Sequence, residues 1–324
     1  MIVSYERLMS ESEKTGFRAD MLEKVIYLLE LLNTLNEHPF LKGKFVLKGG
    51  TALNLFIFDI PRLSVDIDLN YIGTEERDKM LVERQLIESA LQDIFRKGGF
   101  LVKQLPDEHA GGKWLLRYNS VLGQTSNLEV DINFMYRIPI WSIKSLNSKS
   151  IGIWQASQIP VINDYELIAG KLVALLTRGK SRDLFDVFMI SKNLNINFEK
   201  LRLAFTVYGA MSRKDWRTIS IDDVVFDINE LKNQLIPTLN VNKSQYIKDI
   251  NKFGQLLVTE CKIFLSKVLP FRSKEIEFLN LILEKGEIKP NILTNDEKIA
   301  EQITKQPMLK WKAFNVKKHK GLVW

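Results

Sequence analysis

Residues 48–70 read KGGTALNLFIFDIPRLSVDIDLN, and this stretch decides the fold of the first half of the chain. Gly49, Gly50 and Thr51 precede an apolar run that reads as a short helix, and Pro61 ends it. The segment after Pro61 alternates between apolar and polar residues, which predicts a half-buried strand. The stretch therefore predicts a strand-to-helix turn followed by a second strand.

The strand SVDIDLNYI places two acids on the same face. Successive side chains of a strand point to opposite faces, so Asp66, Asp68 and Asn70 lie together, opposite the apolar residues. Two carboxylates this close raise each other's pKa unless a cation lies between them. A divalent cation is the simplest remedy, and Mg²⁺ accepts carboxylate oxygens while keeping positions for water and phosphate.

The same alternation recurs in LEVDINF, residues 128–134, where Glu129 and Asp131 lie on the polar face. If this strand neighbours the first, Asp131 joins Asp66 and Asp68. Three such carboxylates can hold two metal ions for phosphoryl transfer. An isolated Asp-x-Asp is weak evidence, because surface strands often alternate with acids, and the surrounding motifs must support it.

The glycine turn supplies that context. Gly49 and Gly50 follow a predicted strand and open a helix, so their amides and the Thr51 hydroxyl suit a phosphate group. The alternative is a tight strand-to-helix turn with Thr51 as the N-cap. Both interpretations are compatible.

The pattern of elements predicts an α+β fold with α/β-like character. Helices and strands alternate up to about residue 160, which indicates a mixed sheet flanked by helices, and almost everything after Tyr165 reads as helix. Proline and turn residues at 159–164 mark the boundary. We expect one domain over residues 1–160 and a mainly helical domain over residues 161–324 that contributes basic residues to the site.

The second domain opens with a charged pair of helices, YELIAGKLVALLTRGKSRDLFDVF, residues 165–188. Lys171 and Arg178 are seven residues apart and lie near one face, where they could neutralise a triphosphate. Asp183 would cap the second helix or orient a basic neighbour. The alternative is a charged helical hairpin in solvent.

Composition excludes several classes of protein. The chain has 324 residues, a net charge of +7, one cysteine and three scattered histidines, which argues against disulfide scaffolds and zinc sites. No apolar stretch is long enough to span a bilayer and no signal-peptide pattern is present, so we expect a cytoplasmic protein. The lysine-rich segment from Ala300 onward, with Trp311, Phe314 and Trp324 among the lysines, suits a nucleic acid or, alternatively, is a solvated tail.

Four separated blocks resemble the AbiEii/AbiGii-type nucleotidyltransferase toxins of the DNA polymerase β-like nucleotidyltransferase superfamily. The blocks are KGGTAL (48–53), RLSVDIDL (62–69), LEVDIN (128–133) and the helical pair at 165–188. The resemblance covers about residues 45–189. It implies a nucleotidyltransferase fold in the first domain.

The resemblance also implies roles for individual residues. The turn would cradle the nucleotide phosphates, two aspartates would bind Mg²⁺ or Mn²⁺, and a third acid would complete the set, with Glu129 as the alternative. The implied catalytic residues are Asp66, Asp68, Asp131, Lys171 and Asp183. The implied nucleotide-binding residues are Gly49, Gly50, Thr51, Arg62, Ser64, Lys171, Arg178, Arg182 and Asp186. The implied metal ligands are Asp66, Asp68 and Asp131.

The implied activity is Mg²⁺-dependent transfer of a nucleoside monophosphate from an NTP to an acceptor hydroxyl, at the 3′ end of tRNA or another RNA. Such a protein acts as the toxin of a toxin–antitoxin pair, so an antitoxin is the expected protein partner, and no membrane is expected. Three alternatives remain open: a non-catalytic nucleotide- or RNA-binding protein of the same fold, a glycosyltransferase that uses Asp-x-Asp, and a metal-dependent nuclease.

Overall fold

The computed structural model describes residues 3–104, 111–245 and 247–321, without the side chains of Gln104 and Lys243. The strands are β1 Phe45–Leu47, β2 Asp66–Tyr71, β3 Leu101–Gln104, β4 Gly111–Asn119, β5 Thr125–Asn133, β6 Lys144–Leu146 and β7 Ile159–Val161. The helices are α1 Tyr5–Thr15, α2 Ala19–Glu37, α3 Gly49–Thr51, α4 Arg77–Lys97, α5 Asp164–Arg178, α6 Ser181–Asn193, α7 Phe198–Ala210, α8 Ile228–Glu230, α9 Val241–Ser244, α10 Ile250–Leu265, α11 Ser273–Asn280, α12 Glu297–Lys305 and α13 Pro307–His319.

The chain divides into two compact units. Unit 1 takes in the chain up to Arg137, then Ile143–Ile162 and Asn233–Lys248. Unit 2 takes in Ile138–Ser142, Asn163–Lys232 and the chain from Asp249 onward. The segment 233–248, which lies within the helical half of the sequence, thus belongs to the unit that holds the sheet.

Unit 1 is built around a seven-stranded mixed sheet with the order β3-β4-β5-β2-β1-β7-β6. The pairs β2 with β5 and β1 with β7 are parallel, and the other neighbours are antiparallel. Strands and helices are thus combined around a mixed sheet in one unit, while unit 2 is mainly helical. The predicted α+β class is confirmed.

The alternation read from the sequence sets the two faces of the central strands. Ile67 and Val130 are fully buried in the core, together with Leu69 and Ile132. Burying each such side chain contributes roughly 1.5–3 kcal/mol. Because a slip of one residue would turn this apolar set to the opposite face, burial fixes the register and keeps the acids off the core face.

Two local elements differ from the sequence expectation. The helix after the glycine turn is one α-turn, Gly49–Thr51, that continues as a π-helical turn, Ala52–Ile57. The turn-rich segment at 159–164 contains β7, which pairs with β1 through Leu47 and Val161. A three-residue strand that contains proline carries too little periodicity to be recognised.

Unit 2 includes the lysine-rich C-terminal segment. Its residues form α12 and α13, and α13 packs into the unit through Leu309 and Ala313. The solvated-tail interpretation is therefore wrong for Pro307–His319, whereas Trp324 lies outside the described residues. Within the described ranges, no helix combines the length and apolar character needed to cross a bilayer.

Candidate active site

The acids of β2 and β5 face one another across a parallel pair of strands. In the register, Asp66 is the partner of Glu129 and Asp68 is the partner of Asp131. All four side chains lie on the face opposite the core, and all four are half-buried. The structure thus brings the predicted third acid, Asp131, directly beside Asp68.

The glycine turn lies against the same acids. Gly49 has φ +74°, and a Cβ at this position would lie 2.1 Å from Oδ2 of Asp68. The backbone N–H of Lys48 donates to the carbonyl oxygen of Asp68 at 2.9 Å. Glycine is therefore required at position 49 both for the left-handed conformation and for the close approach of a carboxylate.

Thr51 and Ser64 contact each other beside the turn, and both side chains are buried. The Thr51 hydroxyl donates to the carbonyl oxygen of Asp66 at 2.5 Å and lies 3.1 Å from Oγ of Ser64. These contacts fix the start of β2 relative to the turn. Arg62 is also buried, and its guanidinium donates to the carbonyl oxygen of Leu63 at 2.9 Å.

A lysine that sequence reasoning missed stands on the acidic face. Lys113 of β4 is the register partner of Asp131, and its Nζ lies 2.6 Å from Oε2 of Glu129. The hydrogen bond with Glu129 raises the pKa of Lys113, burial opposes the rise, and the charges of Asp131 and Asp66 add to it. The sequence signal for this position is the alternation of β4, which places Lys113 on the opposite face from the buried Trp114.

The ion pair between Lys113 and Glu129 separates the two candidates for the third acid. Glu129 already has a cationic partner, whereas Asp131 lies beside Asp68. Burial raises the pKa of Asp131 and Asp68 adds to this, while the charges of Lys48 and Lys113 oppose it. Lys48, the second cation that sequence reasoning missed, precedes the two glycines directly.

The donor chemistry at this face suits Mg²⁺ or Mn²⁺. In residues 3–104, 111–245 and 247–321, no three Asp, Glu, His or Cys side chains are arranged to hold one metal ion together. Mg²⁺ in phosphoryl-transfer sites is, however, usually held by one or two carboxylates, and substrate phosphates and water complete its shell. Asp66 and Asp68 of β2 supply two such carboxylates on one face, and Asp131 lies beside Asp68 on β5.

In unit 2, the helical pair forms a buried charge network. Nζ of Lys171 lies 3.1 Å from Oδ1 of Asp183 and 2.7 Å from Oδ2 of Asp186, and all three side chains are almost completely buried. Arg178 donates two hydrogen bonds to Asp183, at 2.6 and 3.0 Å. Burial alone would raise the pKa of Asp183, but Lys171 and Arg178 hold it below its usual value.

Arg178 is the exposed member of this network, and two further basic residues lie near it in sequence. The Arg178 side chain is 59% exposed although Asp183 holds its guanidinium, and Arg182 is half-buried on the first turn of α6. Lys180, in the turn between the helices, pairs with Glu230 at 2.6 Å. Asp183 thus orients an exposed cation, while Lys171 neutralises two buried acids.

Comparisons with known proteins place this geometry in context. Residues 30–260 match the family model described as nucleotidyl transferase AbiEii toxin, type IV toxin–antitoxin system. The fold is similar to that of MenT4, a nucleotidyltransferase toxin from Mycobacterium tuberculosis H37Rv, with a TM-score of 0.60 and 14% identity. That likeness covers 93% of this chain and 98% of MenT4. A search of curated proteins gave no significant match.

Proposed function

The chain belongs to the AbiEii family of nucleotidyltransferase toxins of type IV toxin–antitoxin systems, and from this membership we propose a specific reaction for it. The protein transfers a nucleoside monophosphate from an NTP to a hydroxyl group of an RNA acceptor and releases pyrophosphate. The acceptor is the 3′ end of tRNA, and the reaction depends on Mg²⁺. A cognate antitoxin is the protein partner.

One observation carries this proposal: Asp68 and Asp131 are direct partners on adjacent parallel strands, beside the positive-φ glycine of the turn. Asp66 lies one pleat away on the same face. Phosphoryl transfer requires little covalent chemistry from a protein and depends on positioning and on electrostatic stabilisation. Carboxylates clustered beside a backbone turn can supply this positioning and stabilisation. A side-chain nucleophile or a general acid would supply it less well.

The residues of unit 1 have distinct roles in this reaction. Asp66 and Asp68 would hold the metal, and Asp131 orients the acceptor hydroxyl and receives its proton. When bound, Mg²⁺ supplies charge stabilisation at the phosphates and acidifies the attacking hydroxyl. Backbone amides at Gly49 and Gly50 bind phosphate oxygens, as amides at the start of a helix commonly do.

Thr51, Ser64 and Arg62 support the turn and contribute to nucleotide binding. Thr51 and Ser64 join the turn to the first residue of β2, so they keep the phosphate-binding amides in register with Asp66. Arg62 adds a permanent positive charge at the approach to that strand. Removing the hydroxyl of Thr51 or Ser64 would displace the phosphates relative to the acids.

Unit 2 offers phosphate-binding side chains of its own, which we propose as nucleotide-binding residues. Arg178 and Arg182 contact phosphate oxygens, and Asp183 positions Arg178 through its two hydrogen bonds. Lys171, which pairs with both Asp183 and Asp186, keeps Asp183 charged and in place, against the opposing negative charge of Asp186. Arginine suits this role because its planar donors match a phosphate group.

Labelled nucleotide incorporation tests the proposed function. The protein is incubated with total RNA, Mg²⁺ and each α-labelled NTP in turn, and the RNA is resolved on a denaturing gel. We expect one NTP to label a band of tRNA size, and we expect Asp68→Asn and Asp131→Asn to abolish the label. EDTA should have the same effect.

The same gel separates the alternatives. Shortened RNA would indicate a nuclease, and unlabelled RNA that still binds the protein would indicate a non-catalytic module. Label that persists in both aspartate variants would contradict the assignment of the acids. Both variants must unfold at the wild-type temperature for the comparison to hold.

A further inference from the structure

Helix α13 is held in unit 2 by one side only. Nζ of Lys312 donates to the carbonyl oxygens of Ala210 and Ser212, at 2.9 and 2.7 Å, just after the end of α7. Leu309 and Ala313 are buried on the same side of the helix. These contacts fix the rotation of α13 about its axis, and they therefore determine which residues it presents outward.

The outward side carries two aromatic rings among lysines. At 100° per residue, Lys310, Trp311, Phe314 and Lys318 fall within a sector of about 100°, and all four are exposed. Trp311 is 55% exposed and Phe314 is 48% exposed, although both are large apolar side chains. We call these four residues, Lys310, Trp311, Phe314 and Lys318, the α13 face.

The charge of the α13 face is positive. The sequence contains no Asp or Glu from Gln302 to its last residue, a segment with six lysines. Two acids interact with lysines of α13, and each already has a cationic partner. Glu287 pairs with Lys289 at 2.7 Å and interacts with Lys317. Asp215 pairs with Arg217 at 2.7 Å and interacts with Lys312. A polyanion that contacts Lys310 and Lys318 would therefore meet little opposing charge.

We propose that the α13 face binds single-stranded RNA, with bases stacked on Trp311 and Phe314 and phosphates held by Lys310 and Lys318. Exposed aromatic rings interleaved with cations are the usual means of binding single strands without sequence preference. The identification of this RNA as the acceptor rests on the proposed function, whereas the binding itself does not.

The arrangement favours RNA over the other anionic surfaces. A membrane-bound amphipathic helix needs a continuous apolar face for the bilayer, and here the remaining apolar side, Leu309 and Ala313, is already buried in unit 2. A protein interface has an apolar core with charges depleted from it. On α13, the exposed Lys310 and Lys318 each lie four residues, about one helical turn, from Phe314.

Fluorescence anisotropy of a labelled oligouridine of about twelve nucleotides, in EDTA and without NTP, tests the inference. We expect the full-length protein to bind it in a salt-dependent manner. Trp311→Ala/Phe314→Ala should weaken binding by roughly tenfold or more, and Trp311→Phe/Phe314→Tyr should restore most of it. Lys310→Gln/Lys318→Gln should reduce the salt dependence.

Matched controls come from other exposed positions. Leu256→Ala/Ile263→Ala removes comparable apolar surface from α10, and Lys42→Gln/Lys149→Gln removes the same charge from unit 1. Neither should change the affinity. Binding equally weakened by the controls, or unaffected by the aromatic substitutions, would overturn the inference, as would aromatic-dependent binding to phosphatidylserine vesicles without binding to RNA.

The two proposals can fail independently. Asp68→Asn should retain the wild-type affinity for oligouridine, because binding on α13 needs no metal. If no NTP labels RNA but Trp311→Ala/Phe314→Ala still loses binding, the proposed reaction is wrong and RNA binding by the α13 face is supported. If RNA is labelled and the aromatic variant binds oligouridine normally, only the RNA-binding role of the α13 face is contradicted.

Discussion

The carboxylate of Asp68 occupies the space in which a side chain at Gly49 would lie. A Cβ there would come within 2.1 Å of Oδ2 and 2.9 Å of the Asp68 Cβ. The glycine turn and Asp68 are therefore in direct contact, and a substitution at either position would displace the other.

Gly49→Ala should abolish nucleotide transfer and lower the free energy of unfolding by roughly 2–4 kcal/mol, because it adds an overlap to a left-handed backbone. Gly43→Ala is the matched control, since Gly43 has φ +76° and a Cβ added there would meet nothing within 4 Å. Urea denaturation and labelled-NTP assays measure both effects. Equal losses of stability and activity in the two variants would show that the effect comes from backbone strain alone and not from overlap with Asp68.

Asp131→Asn and Glu129→Gln should differ in their effect on transfer. We expect Asp131→Asn to reduce kcat by roughly a thousandfold or more and Glu129→Gln by less than about tenfold, because Glu129 is paired with Lys113 while Asp131 lies beside Asp68. Single-turnover rates at saturating NTP make the comparison. The reverse order would assign the third-acid role to Glu129.

Lys171→Met should lower the free energy of unfolding by about 3–5 kcal/mol, because it leaves Asp183 and Asp186 buried without their shared cation. Lys180→Met removes an exposed pair with Glu230 and should cost about 1 kcal/mol or less. Chemical denaturation compares the two. In the double variant Lys171→Met/Asp186→Asn, part of the lost stability should return.

The stability of the protein should fall as pH rises from about 4.5 to about 7 because of Glu166. Burial raises the pKa of this carboxyl to about 7, against hydrogen bonds from the Ile140 and Trp141 amides and from the Tyr208 hydroxyl. The folded state thus binds this proton more tightly than the unfolded state, and its advantage is complete below pH 4.5 and lost above 7.

Each pKa unit corresponds to about 1.4 kcal/mol, so the contribution of Glu166 amounts to a few kcal/mol. Denaturation midpoints across this pH range measure it. Glu166→Gln should flatten the slope attributable to this group, whatever its effect on absolute stability. Tyr208→Phe should extend the decline to higher pH, since it removes a hydrogen bond that favours the ionised form.

Much of the candidate site in unit 1 follows from sequence patterns. Period-two alternation assigned Asp66, Asp68 and Asp131 to the faces of their strands, because apolar neighbours had to be buried. Alternation could not supply the register, which decides that Asp131 rather than Glu129 stands opposite Asp68. Nor could it place Lys113, whose position depends on β4 pairing with β5.

In unit 2, helical spacing indicated that Lys171 and Arg178 share a face, and both contact Asp183. Spacing within one helix does not reveal what packs against it, so the almost complete burial of Lys171 beside Asp186 was not predictable. The anchoring of Lys312 was missed for the same reason: its acceptors are carbonyl groups distant in the sequence.

The parallel pairing of β2 with β5 also determines when, during synthesis, the acidic pair can form. Parallel neighbours cannot be joined by a tight hairpin, and here α4, β3 and β4 intervene between Asp68 and Asp131. A growing polypeptide on the ribosome therefore carries only half of the acidic pair until the fifth strand has emerged and docked. The pair is therefore completed only by a long-range closure of the sheet, the kind of contact that tends to form late in folding.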